Sequence, residues 1–183
     1  MAQVRNARPA AEEVDLLLAS TGQKRTLRLG GRFGMLGRVV PAQDEFRGFL
    51  RDVASPAMRR AGLKGSAGRY HMPSPSCFAL VGFQKSKWST STSVRFTVNL
   101  QVVGREAWRL ARVDKVWLPK TPAPNTCYPV AEWSVRIGSL MPDGQDHWWW
   151  LRSGQPLEPL AAEVIGALTD YGLPALHRAV RQV

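Results

Sequence analysis

The sequence predicts one α+β domain, in which helices near both ends of the chain pack on one face of an antiparallel sheet of about five strands. Residues 94–102 alternate apolar and polar side chains without a break, as in a strand with one face in a core. Residues 77–84 are apolar on both faces and indicate a central strand. Apolar residues recur at helical spacing in residues 46–61 and 157–168. Short connections between the strands favour antiparallel neighbours.

Residues 1–42 differ in composition from the rest, and we expect a basic, flexible extension followed by a single α+β domain over residues 43–183. Ala, Arg and Gly dominate the extension, and the four glycines of residues 30–37 match no phosphate-binding pattern. Met35 is an alternative start site, in which case residues 1–34 would not be translated. The mass of the natively expressed protein would decide this.

The helices are predicted from their end signals. The first is expected to begin with Asp44 as its N-cap and to end before Gly62. Because Pro56 removes a backbone hydrogen bond inside this helix, we expect a kink or a break near Ala54. The C-terminal helix is expected to stop at Gly172, after which proline begins a short final helix.

Two more strands are predicted, at residues 69–72 before the central strand and at residues 133–137 after it. A short helix over residues 105–115 and a proline-rich loop precede the latter. The dipeptide Asp143-Gly144 is typical of a two-residue hairpin turn, so residues 146–152 are expected to pair with the preceding strand.

Four tryptophans depend on the register of this hairpin. In the predicted register Trp148 and Trp150 join Trp133 in the core, whereas Trp149 lies beside Arg136 on the open face of the sheet. A shift of one residue would reverse each of these assignments, because side chains alternate between faces.

The net charge of +11 is concentrated in one part of the chain. Residues 22–120 carry 19 Lys and Arg against 5 Asp and Glu, whereas the remaining residues carry 6 against 9. Such a field attracts phosphate-rich partners and makes nucleic acid a candidate ligand. The alternative is a solvated, arginine-rich surface with no specific partner.

Composition also limits the compartment and the chemistry. No apolar run approaches the ~20 residues of a membrane helix. With no export signal and only Cys77 and Cys127, far apart in sequence, we expect reduced thiols and a cytoplasmic location. His71, His147 and His177 are isolated, so we expect no metal and no cofactor.

Five segments follow one another in a fixed order, and they are residues 56–64 (PAMRRAGLK), 83–88 (FQKSKW), 96–100 (FTVNL), 136–140 (RIGSL) and 146–149 (DHWW). Through these segments the chain resembles, over residues 44–176, the bacterial domain-of-unknown-function family numbered 4304. The resemblance implies a small domain with no established biochemical role, and therefore supports the fold while leaving the function open.

The open face of the predicted sheet is the candidate binding site. Gln84, Ser86 and Asn99 lie in the family segments and have no packing role that the pattern explains. We therefore expect a non-catalytic binding module that recognises another protein or a small polar ligand through polar and aromatic side chains on this face. These are Gln84, Ser86, Trp88, Thr97, Asn99, Arg136, Asp146 and Trp149.

Two alternatives stay open. The first is nucleic-acid binding through the arginine-bearing first helix and the basic extension, with Lys24, Arg25, Arg28 and Arg32 as contacts. The second is an enzyme with a non-standard site around Gln84, Asn99, Arg136 and Asp146. That alternative requires a closed pocket and a strongly perturbed titratable group.

Among these residues, Asp146 has a competing structural role. Asp143 and Asp146 lie in or beside the predicted turn, where Asp commonly shapes the backbone. Asp146 can also form an ion pair with Arg136 across the mouth of the hairpin.

Overall fold

The structure is a computed structural model and describes residues 40–183. It confirms the predicted α+β class, with helices and one antiparallel sheet of six strands. The additional strand, β1, is only three residues long and too short for a periodicity to reveal it. The strands are β1 Lys64–Ser66, β2 Arg69–Met72, β3 Cys77–Lys85, β4 Ser93–Gly104, β5 Trp133–Arg136 and β6 Trp149–Arg152.

Strand β4 organises the sheet because it is 12 residues long. Strands β1 to β4 form an antiparallel meander, and the far edge of β4 pairs with two short strands in succession. Residues 99–102 pair with β5 and residues 93–96 pair with β6. The predicted hairpin between β5 and β6 is therefore wrong, since each of them pairs with β4 instead of with the other.

The assignments of Trp148, Trp149 and Trp150 were reversed for the same reason, whereas Trp133 packs against the main core as predicted. Phe96 pairs with Trp149, so Trp149 and Leu151 point into the core, whereas Trp150 and Arg152 point to the opposite face. Trp149 is 3% exposed and Trp150 is 51% exposed. Because the register is set by β4 and not by the turn, the turn sequence could not predict it.

The first helical segment loses α-helical geometry where Pro56 was expected to disturb it. Between α1 (Ala42–Phe49) and α2 (Ser55–Arg60), the chain forms one wider π-helical turn just before Pro56, which cannot donate a backbone hydrogen bond. The hydroxyl of Ser55 donates to the Leu50 carbonyl at 2.7 Å. Asp44 lies in the first turn, and the N-cap position is occupied by Pro41, one residue before α1. The segments are α1 Ala42–Phe49, the π turn Leu50–Ala54 and α2 Ser55–Arg60.

The C-terminal helix does not stop at Gly172, contrary to the prediction. Helix α4 (Glu158–Ala167) continues through a π turn (Leu168–Gly172) into α5 (Leu173–Val180). Gly172 keeps helical angles, with φ −66° and ψ −56°. A Cβ at this position would lie 3.3 Å from Ile137 Cδ1, so glycine serves the close approach of the helix to the sheet.

The main core lies between the helices at both ends of the chain and one face of the sheet. The N- and C-terminal helices share that face, as expected, and an aromatic cluster forms its centre. The ring centroids of Phe46 and Phe96 are 4.8 Å apart, and those of Phe96 and Trp149 are 5.8 Å apart. The residues of β4 that were predicted to point inward are all fully buried, namely Val94, Phe96, Val98, Leu100 and Val102.

The other face of the sheet, called the second face below, carries helix α3 (Arg105–Asp114) and the proline-rich segment 115–132. Helix α3 matches the short helix expected there. A second, smaller core forms beneath it from Val103, Trp108, Leu118 and Tyr128. No helix within residues 40–183 is long and apolar enough to cross a membrane.

Candidate functional site

The second face of the sheet divides into two halves along β4. The half towards Gly104, called the covered half, lies under α3 and the proline-rich segment. At Gly82 this segment rests directly on the sheet, because an added Cβ would lie 2.7 Å from Pro124 Cβ. The amide of Asn125 donates to the Phe83 carbonyl at 3.1 Å and fixes the segment there.

Two side chains expected on an open face are buried. Gln101 is 1% exposed, and its Nε2 donates to the Thr126 carbonyl at 3.1 Å. Thr97 is fully buried, and its hydroxyl donates to the His147 carbonyl at 2.9 Å. The expectation that Thr97 is available for binding is therefore wrong, because the segment between β5 and β6 crosses above it.

The half around Arg95, called the open half, is centred on an arginine that stacks on two tryptophans. The Arg95 guanidinium carbon lies 4.7 Å from the ring centroid of Trp148 and 5.5 Å from that of Trp150. Cations are attracted to ring faces at such distances. The Nε of Arg95 is buried and finds no hydrogen-bond partner among the described residues.

Asp146 joins this arrangement through two donors. Its Oδ2 accepts a hydrogen bond from Arg136 Nη1 at 2.9 Å and from Trp148 Nε1 at 2.8 Å. Burial opposes ionisation, but those two hydrogen bonds and the charges of Arg136 and Arg95 outweigh it and lower the pKa of Asp146. The ion pair between Asp146 and Arg136 forms as expected, although no hairpin links them.

These groups border a cleft of about 510 Å³. Its floor is the junction of β3 and β4, where the backbone N–H of Ser86 donates to the Arg95 carbonyl at 2.8 Å. On its rim Trp88 is 73% exposed, with Lys87 Nζ 5.1 Å from its ring centroid. The lining side chains are Gln84, Lys85, Ser86, Lys87, Trp88, Arg95, Asp146 and Trp148, and we call this set the cationic–aromatic cleft.

Asn99 marks the boundary between the two halves. Its Nδ2 donates to Gln84 Oε1 at 2.7 Å and to Asn125 Oδ1 at 3.0 Å. It therefore ties the cleft to the proline-rich segment and is half-buried. This contact assigns Asn99 a bracing role, whatever else it does.

The structure brings five of the predicted site residues to one place. Four line the cleft and Arg136 supports it through Asp146, whereas Asn99 lies at its border and Thr97 is covered. Trp149 was expected on the open face and is instead in the main core, against Phe96. The four residues in the cleft are Gln84, Ser86, Trp88 and Asp146.

The basic residues proposed for nucleic acid divide into two groups. Lys24, Arg25, Arg28 and Arg32 lie outside the described residues, so that interpretation stays a prediction. In the first helical segment the arginines are exposed, and Arg47 pairs with Asp44 and Arg51 with Asp52. Pairing reduces the field of these two arginines, whereas Arg59 and Arg60 are exposed and form no ion pair among the described residues.

Arg95, Trp148 and Trp150 were not among the predicted site residues. A signal was present, because Trp150 alternates with Leu151 and shares its face with the charged Arg152. Since an arginine needs solvent or a partner, Arg152 favours the outward placement of Trp150. The three consecutive tryptophans hid this alternation.

The chemistry of the cleft favours holding a ligand. A carboxylate that is stabilised in its ionised form is a weak base, so Asp146 suits an anchoring role better than proton transfer. The described part of the chain contains no group of three or more His, Cys, Asp or Glu that could hold a metal ion. Cys77 is buried, Cys127 is exposed, and neither forms a disulfide.

Comparison with known proteins gives one result. A family model described as "Domain of unknown function (DUF4304)" matches residues 54–178. This range contains all six strands and every residue of the cleft. No curated protein and no solved structure matches the chain.

Proposed function

The chain belongs to the DUF4304 family of domains of unknown function, and from that premise we propose that it is a non-catalytic binding module. Its binding surface is the open half of the second face, centred on the cationic–aromatic cleft. The observation that carries this proposal is Arg95, whose guanidinium stacks on Trp148 and Trp150 while its buried Nε finds no hydrogen-bond partner among the described residues.

The arrangement contributes modestly to folding. Arg95 is half-buried, and a cation–π pair stabilises a protein by about 0.5–1 kcal/mol at an exposed site and by about 2 kcal/mol when desolvated. Large aromatic side chains are more often buried, yet Trp88 is 73% exposed and Trp150 is 51% exposed. A cluster of aromatic and arginine side chains at the surface is typical of a binding site.

The geometry also favours an orienting role for the polar groups. Arg136 and Trp148 hold Asp146 through separate hydrogen bonds, and Asn99 holds Gln84. Rotamers locked by such contacts are typical of preorganised binding surfaces. A protein or a small polar ligand with an anionic group would supply Arg95 with an ionic partner.

The experiment is purification of the full chain from its natural host at low salt, followed by mass spectrometry of what co-purifies. A specific ligand should be lost from the double variant Lys87→Ala, Arg95→Ala. The matched control is Arg59→Ala, Arg60→Ala, which removes the same charge from exposed positions of α2. Equal recovery with both double variants would contradict the proposal.

A further inference from the structure

We infer that the ligand of the open half is a single-stranded nucleic acid, whose bases stack on Trp88 and Trp150 while its phosphates lie beside Lys87 and Arg95. This inference rests on the proposed function and specifies its ligand. It assigns binding to the sheet, in contrast to binding through the N-terminal extension alone.

The first argument is the order of groups on either side of Arg95. Ser86 and Trp150 flank Arg95, since the Ser86 N–H bonds to the Arg95 carbonyl and Arg95 pairs with Trp150. Neighbouring strands are ~4.8 Å apart, so the backbones of Ser86 and Trp150 lie roughly 10 Å apart with the cation between them. Trp88 follows Ser86 by two residues in the chain and lines the same cleft as Arg95.

The exposed ring faces carry the second step. Stacking of bases on aromatic side chains is sequence-tolerant, because every base has a flat π face. Lys87 lies over the Trp88 ring and Arg95 over the Trp150 ring, yet these tryptophans remain 73% and 51% exposed and accessible to a base. The bases of a duplex, in contrast, are stacked on each other and unavailable. An acidic peptide would use the cations but leave these two rings without a matching partner.

The third argument is the surplus of positive charge. Residues 40–183 contain 18 Lys and Arg against 11 Asp and Glu, a surplus of 7. Within the cleft the acidic group is Asp146, and its charge is already matched by Arg136. Lys87 and Arg95 are therefore available to a phosphate backbone, and the guanidinium can donate to two of its oxygens.

The test is fluorescence anisotropy of a labelled oligothymidine of about 15 nucleotides with the full chain. We expect Trp88→Ala and Trp150→Ala each to weaken binding about tenfold, as the loss of one stacked base would. Trp117→Ala is the matched control, because Trp117 is also 73% exposed but follows α3. It should leave the affinity unchanged, and Trp88→Phe should restore most of what Trp88→Ala loses.

The charge contribution is tested in the same assay. Affinity should fall steeply between about 50 and 200 mM salt, and Lys87→Ala should reduce the slope of that dependence. Lys64→Ala, at the opposite edge of the sheet, removes an equal charge and should have little effect. A quadruple alanine variant of Lys24, Arg25, Arg28 and Arg32 should retain the dependence on Trp88.

Four outcomes would overturn the inference, and the first three concern what binds and where. They are equal binding of duplex DNA, displacement of the oligonucleotide by an equimolar polyglutamate of similar length, and loss of binding only in the quadruple variant. Absence of oligonucleotide binding would also overturn it. The proposed function would survive each of these results if another ligand still depended on Lys87 and Arg95 in the purification experiment.

Discussion

The two halves of the second face share strand β4 but differ in what lies over them. In the covered half, Trp108 and Tyr128 pack edge to face, with ring centroids 4.7 Å apart, inside a small core. In the open half, Trp148 and Trp150 instead stack on the Arg95 guanidinium near solvent. The difference is the proline-rich segment, which covers the first half with a small core and leaves the second half accessible to solvent.

The largest expected effect is the loss of stability when a buried tryptophan is removed from the small core of the covered half. Trp108 is 2% exposed, and Trp108→Ala should lower the free energy of unfolding by about 3–5 kcal/mol. Trp117→Ala removes an exposed tryptophan a few residues away and should change it by less than about 0.5 kcal/mol. Urea denaturation measures both, and similar losses would show that α3 does not cover a core.

A smaller effect should follow when an added side chain pushes the proline-rich segment away from the sheet. Gly82→Ala places a Cβ against Asn125 and Pro124, and overpacking of this kind costs about 1–3 kcal/mol. Hydrogen exchange should accelerate at residues 123–126, where the segment rests on the sheet. Gly48→Ala is the control, because it adds a Cβ to α1 in open space and should stabilise the protein by about 0.4–1 kcal/mol.

The same comparison shows what the sequence could predict. Alternation in β4 identified the buried Val94, Phe96 and Val98, because strand periodicity alone decides which side chains share a face. It could not reveal that Thr97 and Gln101 are covered. That depends on where residues 115–132 and 145–148 cross the sheet, which is a tertiary arrangement without a local pattern.

Register explains the other failure. The turn dipeptide Asp143-Gly144 favoured a hairpin, yet β5 and β6 both pair with β4. Gly144 does adopt a positive φ of 62°, as such a turn requires, so the local signal was real. The length of β4 decided the pairing, and with it the placement of Trp149 in the core.

The third prediction concerns the stacked arginine. Arg95→Met keeps a long side chain but removes the charge. It should lower the free energy of unfolding by about 1–2 kcal/mol, because the cation–π contacts of a half-buried arginine lie between the exposed and the desolvated limits. Oligonucleotide binding should fall at the same time. Urea denaturation and anisotropy on the same sample separate the two effects. A loss as large as that of Trp108→Ala would mean that the open half is a folding core.

The smallest expected effect is the pH dependence that Asp146 contributes. Because the pKa of Asp146 is lowered in the folded state, its ionised form stabilises the protein above the pKa of an unfolded aspartate. That contribution is lost as the pH falls through the lower, folded value, which lies below about pH 4. It should amount to less than about 1 kcal/mol, since the Asp146 side chain is 52% exposed and solvent screens the pair.

The Asp146→Asn variant should therefore be slightly less stable than the wild type near pH 7. This difference in stability should shrink as the pH falls below about 4. Other carboxylates titrate in both proteins, so their contributions cancel in the difference. Asp143→Asn removes an exposed carboxylate nearby and serves as the control. A difference between Asp146→Asn and wild type that persists at pH 2 would mean that the contacts of Asp146 stabilise the fold by shape and not by charge, and that the open half has no ionic component.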